Sequence, residues 1–161
     1  MNLALLKTRW KHISVVLIFL GMVCSVCAQN NPQKINDKLY PLYVKAYNMR
    51  KDAASLPLAD SLCQASIAIG DRYGECFALQ VKFLHEYYKP NNFSRFDQSL
   101  QAYMDKVLSY GMNRFYYYAV SMKTFYYTRE KRYLEGFLYL QEQTKIAKSR
   151  NNHYGICMLH R

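Results

Sequence analysis

Three segments of this 161-residue chain, AIGDRYGECFAL, SYGMNRFYYYAV and SRNNHYGICML, fall into one register. Gly70, Gly111 and Asn151 align at a nearly constant interval of about 40 residues, a length found among helical repeats. Asp71, Met112 and Asn152 follow, then Cys76, Tyr117 and Cys157, with Ala78 over Ala119. Glycine and asparagine most readily take a positive φ after a helix, so one can replace the other at a helix stop. The breaks between these stops keep the period too, since Asn92-Phe93 corresponds to Arg132-Tyr133. A chain constrained in this way builds its core from a recurring unit. Such a period, with two helices in each unit, is the signature of a helical solenoid.

The residues between the stops are helical. Leu39, Leu42, Tyr43, Ala46 and Tyr47 recur at spacings of 3, 4 and 7 on one helical face. Only six glycines and four prolines occur, too few for a turn-rich β-sandwich. The pattern pairs residues 36–50 with 56–69, 71–88 with 93–109, and 112–128 with 131–149. A cap at Asn36 or Asp37 places Pro41 in or near the tolerant first turn, and Ser55 is expected to cap the second helix ahead of Pro57. Asn152 to Arg161 opens a fourth unit without a polar capping helix, so the chain is expected to be truncated at its C-terminus.

IGDRYGECFAL followed by FLHEYYKPNNF resembles the tetratricopeptide-repeat family, in its long-helix variety of about 40 residues. There an I-G-D-x-x-G-E-x-x-A-L segment closes helix B of one unit and opens helix A of the next. The resemblance covers residues 35 to 161 and is strongest around residues 67 to 93. No Trp or Gly stands where the family's helix A often has them, and Phe83 occupies that neighbourhood. The resemblance implies an all-α, right-handed solenoid of antiparallel helix pairs whose A helices line a concave face.

Residues 1–28 read differently. Lys7, Arg9 and Lys11 precede the apolar run ISVVLIFLGMVCSV, and Val26 and Ala28 sit at the small-residue positions of a cleavage site. Charged head, short apolar middle and small-residue end make a secretory signal, with residues 29–35 as a linker to a helical-repeat domain over 36–161. The run is shorter than the ~20 residues of a membrane-spanning helix. Cleavage takes away three positive charges and no negative one, lowering the net charge from +11 to about +8. Export makes nucleic acid an unsuitable partner for that surplus. Cys63, Cys76 and Cys157 remain, an odd number without disulfide-framework spacing, and small buried apolar residues is their expected role.

The stretch RFYYYAVSMKTFYY, Arg114 to Tyr127, has seven aromatic residues in fourteen. Phe115, Tyr118, Ala119, Met122, Phe125 and Tyr126 make a stripe wide enough for a core face. Most of these rings are expected to pack between repeats, while Tyr117, Lys123 and Tyr127 are candidate concave-face contacts for a protein, a peptide or a glycan. The chemistry of catalysis is absent from the pattern. His85 begins HEYYK, where the second histidine of a zinc-binding HExxH is replaced by Lys89. No phosphate-cradling glycine loop or nucleophile elbow occurs, and the scattered acids suit capping and surface roles. No catalytic residue, cofactor or metal site is therefore expected.

A repeat array of this period opening directly after a leader looks like the periplasmic front part of Bacteroidetes-type sensor histidine kinases. That resemblance implies an exported interaction or sensing module at the N-terminus of a membrane-bound two-component sensor kinase. The kinase, and any membrane association, would then belong to residues after Arg161. A free-standing secreted or periplasmic scaffold for protein–protein assembly is the other reading. The leader carries a direct test. Expressed in a Gram-negative host, the chain is expected to be recovered with Gln29 as its N-terminus by intact-mass measurement, and retention of the segment ending at Ala28 would refute the cleavage site.

Overall fold

The computed structural model describes residues 34–160, and the expected leader at 1–28 lies outside them. Among the described residues all regular structure is helical. Seven helices follow in order: α1 (Tyr40–Asn48), α2 (Ser55–Ile69), α3 (Arg72–Tyr87), α4 (Phe93–Ser109), α5 (Asn113–Arg129), α6 (Tyr133–Ser149) and α7 (His153–Leu159). Each helix packs on the next, and α1 also packs on α3 and α5 on α7.

The turns explain the regularity. Left-handed residues stand at Gly70, Asn91, Gly111, Lys131 and Asn151, one at the end of each helix from α2 to α6 and evenly spaced along the chain. At four of these turns the N–H of the residue after the left-handed one bonds a carbonyl five residues back: Asp71 to Ser66, Met112 to Val107, Arg132 to Tyr127 and Asn152 to Ala147, all at 2.8–2.9 Å. Such bonds satisfy carbonyls that a helix end would otherwise leave orphaned. At the Asn91 turn the corresponding N–H, from Asn92, instead donates to the Tyr126 hydroxyl at 3.2 Å. Among the described residues, Lys131 is the one left-handed position that is neither glycine nor asparagine.

Burial follows the same period. Ser55, Ala59, Leu62 and Ser66 are buried in α2, and their counterparts one period on, Phe96, Leu100, Tyr103 and Val107, are buried in α4. Gly136, Gln143 and Ala147, a further period along, are buried in α6. The positions recur although their side-chain volumes do not.

Helix starts depart from the sequence reading in three places, one of them α6, which begins at Tyr133 and not at residue 131 because Lys131 is left-handed. Residues 36–39 form a hydrogen-bonded turn closed by Leu39 N–H to Asn36 O (2.9 Å), so α1 begins at Tyr40 and Pro41 sits in its first turn. Ser55 is the first residue of α2 rather than its cap: its hydroxyl donates to Asp52 O at 2.8 Å, and the Asp52 carboxylate accepts from Ala54 N–H. Asp71 caps α3 through Tyr73 and Gly74 N–H, both at 3.0 Å, and also accepts from Asn36 N–H at 2.8 Å, tying the chain before α1 to α3. Glu75, buried in α3, accepts from Lys106 (3.2 Å) and the Tyr110 hydroxyl (3.0 Å), which holds the end of α4 to α3.

The main core gathers the rings of α3, α4 and α5. Phe96 stacks on Tyr126 at 4.5 Å and 10°, with Tyr87 edge-on at 5.6 Å. Replacing Phe96 by alanine removes a fully buried ring and leaves Tyr126 without its stacking partner. A loss of about 3–5 kcal/mol is expected from the midpoint of urea denaturation.

Candidate interaction surface

The aromatic helix α5 buries Tyr116, Tyr117, Ala119, Val120, Tyr126 and Tyr127, whereas Phe125 stands 59% exposed. The buried band therefore includes Tyr117 and Tyr127, expected as surface contacts, and leaves Phe115, Tyr118 and Met122 of the expected core stripe only half-buried. The reason is that α5 has neighbours on several sides, α4, α6 and α7, so no single stripe serves it.

The three candidate contacts go to two different places. Tyr117 is 2% exposed and lies edge-on to Tyr116 at 5.2 Å and 6.3 Å from Tyr154 of α7. Gly155 gives it room, because a Cβ there would overlap the Tyr117 ring. Tyr127 is buried between Phe93 of α4 (5.3 Å) and Tyr139 of α6 (6.1 Å), and a Cβ at Gly136 would come within 3.0 Å of its own Cβ. Lys123 forms an ion pair with Asp97 of α4, its ammonium 4.9 Å from the Tyr139 ring and 5.9 Å from Phe93. Lys123 and Tyr127 thus share the α4–α6 junction, while Tyr117 belongs to the α5–α7 junction.

A different polar and aromatic row crosses α1, α3 and α5. The Tyr43 hydroxyl is 3.4 Å from Gln80 Oε1, and Tyr118 of α5 reaches the same Gln80 side chain. Tyr43 also stacks on Phe77 at 4.6 Å and lies 5.6 Å from Tyr47. At the end of this row the Arg50 guanidinium lies 4.2 Å over Tyr47 and 5.6 Å from Tyr88, donating to Tyr47 O at 2.8 Å. Its Nε is buried without a hydrogen-bond partner, and none of the ion pairs among the described residues involves Arg50. Aromatic faces partly replace a carboxylate beside this half-buried guanidinium. Tyr43 and Tyr47 were legible as one helical face; the meeting of Tyr43 with Gln80, 37 residues further along the chain, carries no local signal.

Beside this row a groove of ≈ 510 Å³ opens between α5, α6 and α7, with Tyr118 and Phe125 on one wall and Leu140 and Leu159 on the others. His85 is 3% exposed, its Nδ1 3.1 Å from Arg50 O, so it serves packing beside the row. Among the described residues no cluster of His, Cys, Asp and Glu is placed to hold a metal ion, and no helix is long and apolar enough to cross a membrane. Cys63, Cys76 and Cys157 are free thiols; Cys76 is buried, Cys63 half-buried and Cys157 exposed, so the last departs from the expected burial. Comparison with protein-family models, with curated proteins and with solved structures finds no significant match to this chain.

Burial sets the alkaline limit of this tyrosine-rich core. It pushes the Tyr43 phenol from the ordinary 10.0 up to about 12 and raises Tyr103 and Tyr139 further, both of whose hydroxyls are buried without partners. A phenol raised in the folded state contributes stability that is full below the unfolded value near 10 and is lost as pH climbs through the folded value. Helicity and the phenolate absorbance are therefore expected to change together between pH 10 and 12. Ionisation of every tyrosine in one step near pH 10 with helicity intact would contradict burial of these rings.

Proposed function

We propose that residues 36–161 form a right-handed solenoid of antiparallel helix pairs of tetratricopeptide type, and that the chain is an exported interaction and sensing module. The observation that carries this reading is that left-handed stops and buried positions recur together, with one shared period. Two elements that repeat both their turn and their buried face cover one another by stacking, which is how repeat arrays make a continuous core. On this reading α1, α3, α5 and α7 are A helices and line one face. The row from Arg50 through Tyr47 and Tyr43 to Gln80 and Tyr118 then lies on the binding surface. Its phenols are pre-positioned by packing, which lowers the entropic cost of binding. A guanidinium without a carboxylate suits a protein or peptide segment that brings an acidic group. The reading assigns no catalytic step to the chain. The leader and the repeat period support placement in the periplasm as the sensory part of a membrane-bound kinase.

A photoreactive phenylalanine analogue placed at Tyr118, in cells exporting the chain, tests the surface. Cross-links to a discrete partner are expected from position 118 and not from Ser94 on the outer side of α4. Cross-links of equal yield from both positions, or none from 118, would overturn the assignment of that face.

A further inference from the structure

The outer side of α6 does not match its counterpart on α4. Leu134, Phe137, Leu138, Gln141, Lys145 and Lys148 occupy one side of α6, opposite the buried Gly136, Gln143 and Ala147. Leu134 is 71% exposed, Phe137 56% and Leu138 54%. One period earlier the same six positions of α4 carry Ser94, Asp97, Gln98, Gln101, Asp105 and Leu108, polar in the first five and acidic at two of them. Ser94, Gln98, Gln101 and Asp105 stay exposed although α5 and α6 both follow α4. Leu134 and Leu138 therefore stand where neighbouring helices of this fold leave side chains uncovered. An outward position carrying leucine in place of serine or glutamine is unexplained by packing within the chain.

The spacing describes what would cover it. Leu134, Gln141 and Lys148 are seven residues apart, as are Leu138 and Lys145. Residues seven apart lie nearly in line along a helix, so these five make one continuous seam along α6. Its first half is apolar and its second half basic, with no acid among the six residues. Lys145 and Lys148 are exposed, and none of the ion pairs among the described residues involves them. Toward α7 the seam borders a groove of ≈ 570 Å³ floored by Leu140 and Leu159, with space for apolar side chains beside the ridge.

From this juxtaposition we infer that the outer side of α6 docks an amphipathic helix whose contact stripe is apolar in one half and acidic in the other. The contact spans about 21 Å, the length of four helical turns. Charge complementarity selects the partner. A second copy laid parallel would oppose lysine with lysine, and an antiparallel copy would press Leu134 against Lys148. An acidic half facing Lys145 and Lys148 meets neither problem, and it gives the contact its direction. This surface is separate from the α1–α3–α5 row and stands without it.

The full chain is titrated with two synthetic helices, each with leucines on the contact stripe of one half and glutamates on that of the other, in the two possible orders. Saturable binding of one of them is expected, which also sets the partner's direction. The paired change Leu134→Asp and Leu138→Asp is expected to weaken it by about tenfold or more, as for loss of a buried apolar anchor. Lys145→Glu with Lys148→Glu is expected to transfer preference to a matched probe carrying lysines in place of glutamates. All four positions are exposed, so the variants keep the helicity of the parent. Failure of both acidic probes to bind, equal binding of the lysine probe to the unaltered chain, or indifference to the leucine changes would overturn the inference. So would a dimer by light scattering that Leu138→Asp dissolves, or leucine-dependent binding to phosphatidylglycerol vesicles with no binding of the helices.

Discussion

The rings of α5 have to be accommodated between helices, and most of the tertiary arrangement answers to that demand. Tyr126 meets Phe96 face to face, and its hydroxyl oxygen accepts from Asn92 N–H in the α3–α4 turn. Tyr127 takes the space left by Gly136, and Tyr117 the space left by Gly155. Large residues on one helix are thus met by the absence of side chains on the next two. Close packing requires such matching, because a void or an overlap of a few methylene volumes costs stability on the scale of the whole fold. The glycines of α6 and α7 are explained by the tyrosines of α5.

The same demand accounts for a recurrence of position without a recurrence of residue. Ser55, Phe96 and Gly136 occupy one site in three successive units and differ by a whole ring in volume. Each is compensated locally: Ser55 by bonding Asp52 O, Phe96 by stacking, Gly136 by the approach of Tyr127. The left-handed turns among the described residues tolerate equal variety, with glycine twice, asparagine twice and lysine once. What recurs is the place of the turns and of the buried positions, and the side chains there differ.

Burial divides the surface into regions of different chemistry. Rings that looked available in α5 are consumed by packing, whereas half-buried phenols of α1 and α5 gather on Gln80 with Arg50 beside them. The outer side of α6 is apolar and then basic where that of α4 is polar over its first five positions, two of them acidic. A chain with a large positive surplus thereby presents two distinct faces in place of a uniformly charged one.

The helical class, the period and three of the five left-handed stops, Gly70, Gly111 and Asn151, can be read from the residues alone, because glycine, asparagine and the 3.6-residue rhythm are local properties of the chain. The helix limits followed within a few positions, and Lys131 escaped notice because lysine carries no signal for a left-handed turn. Which rings of α5 are covered was a matter for the assembled helices. A helix touched by α4, α6 and α7 buries a band set by its neighbours, which an amphipathic stripe does not encode. The row from Tyr43 through Gln80 to Tyr118 and the exposure of Leu134 and Leu138 were beyond reach for the same reason. Each depends on what stands across from a residue in space, and no residue records that in its own neighbourhood of the chain.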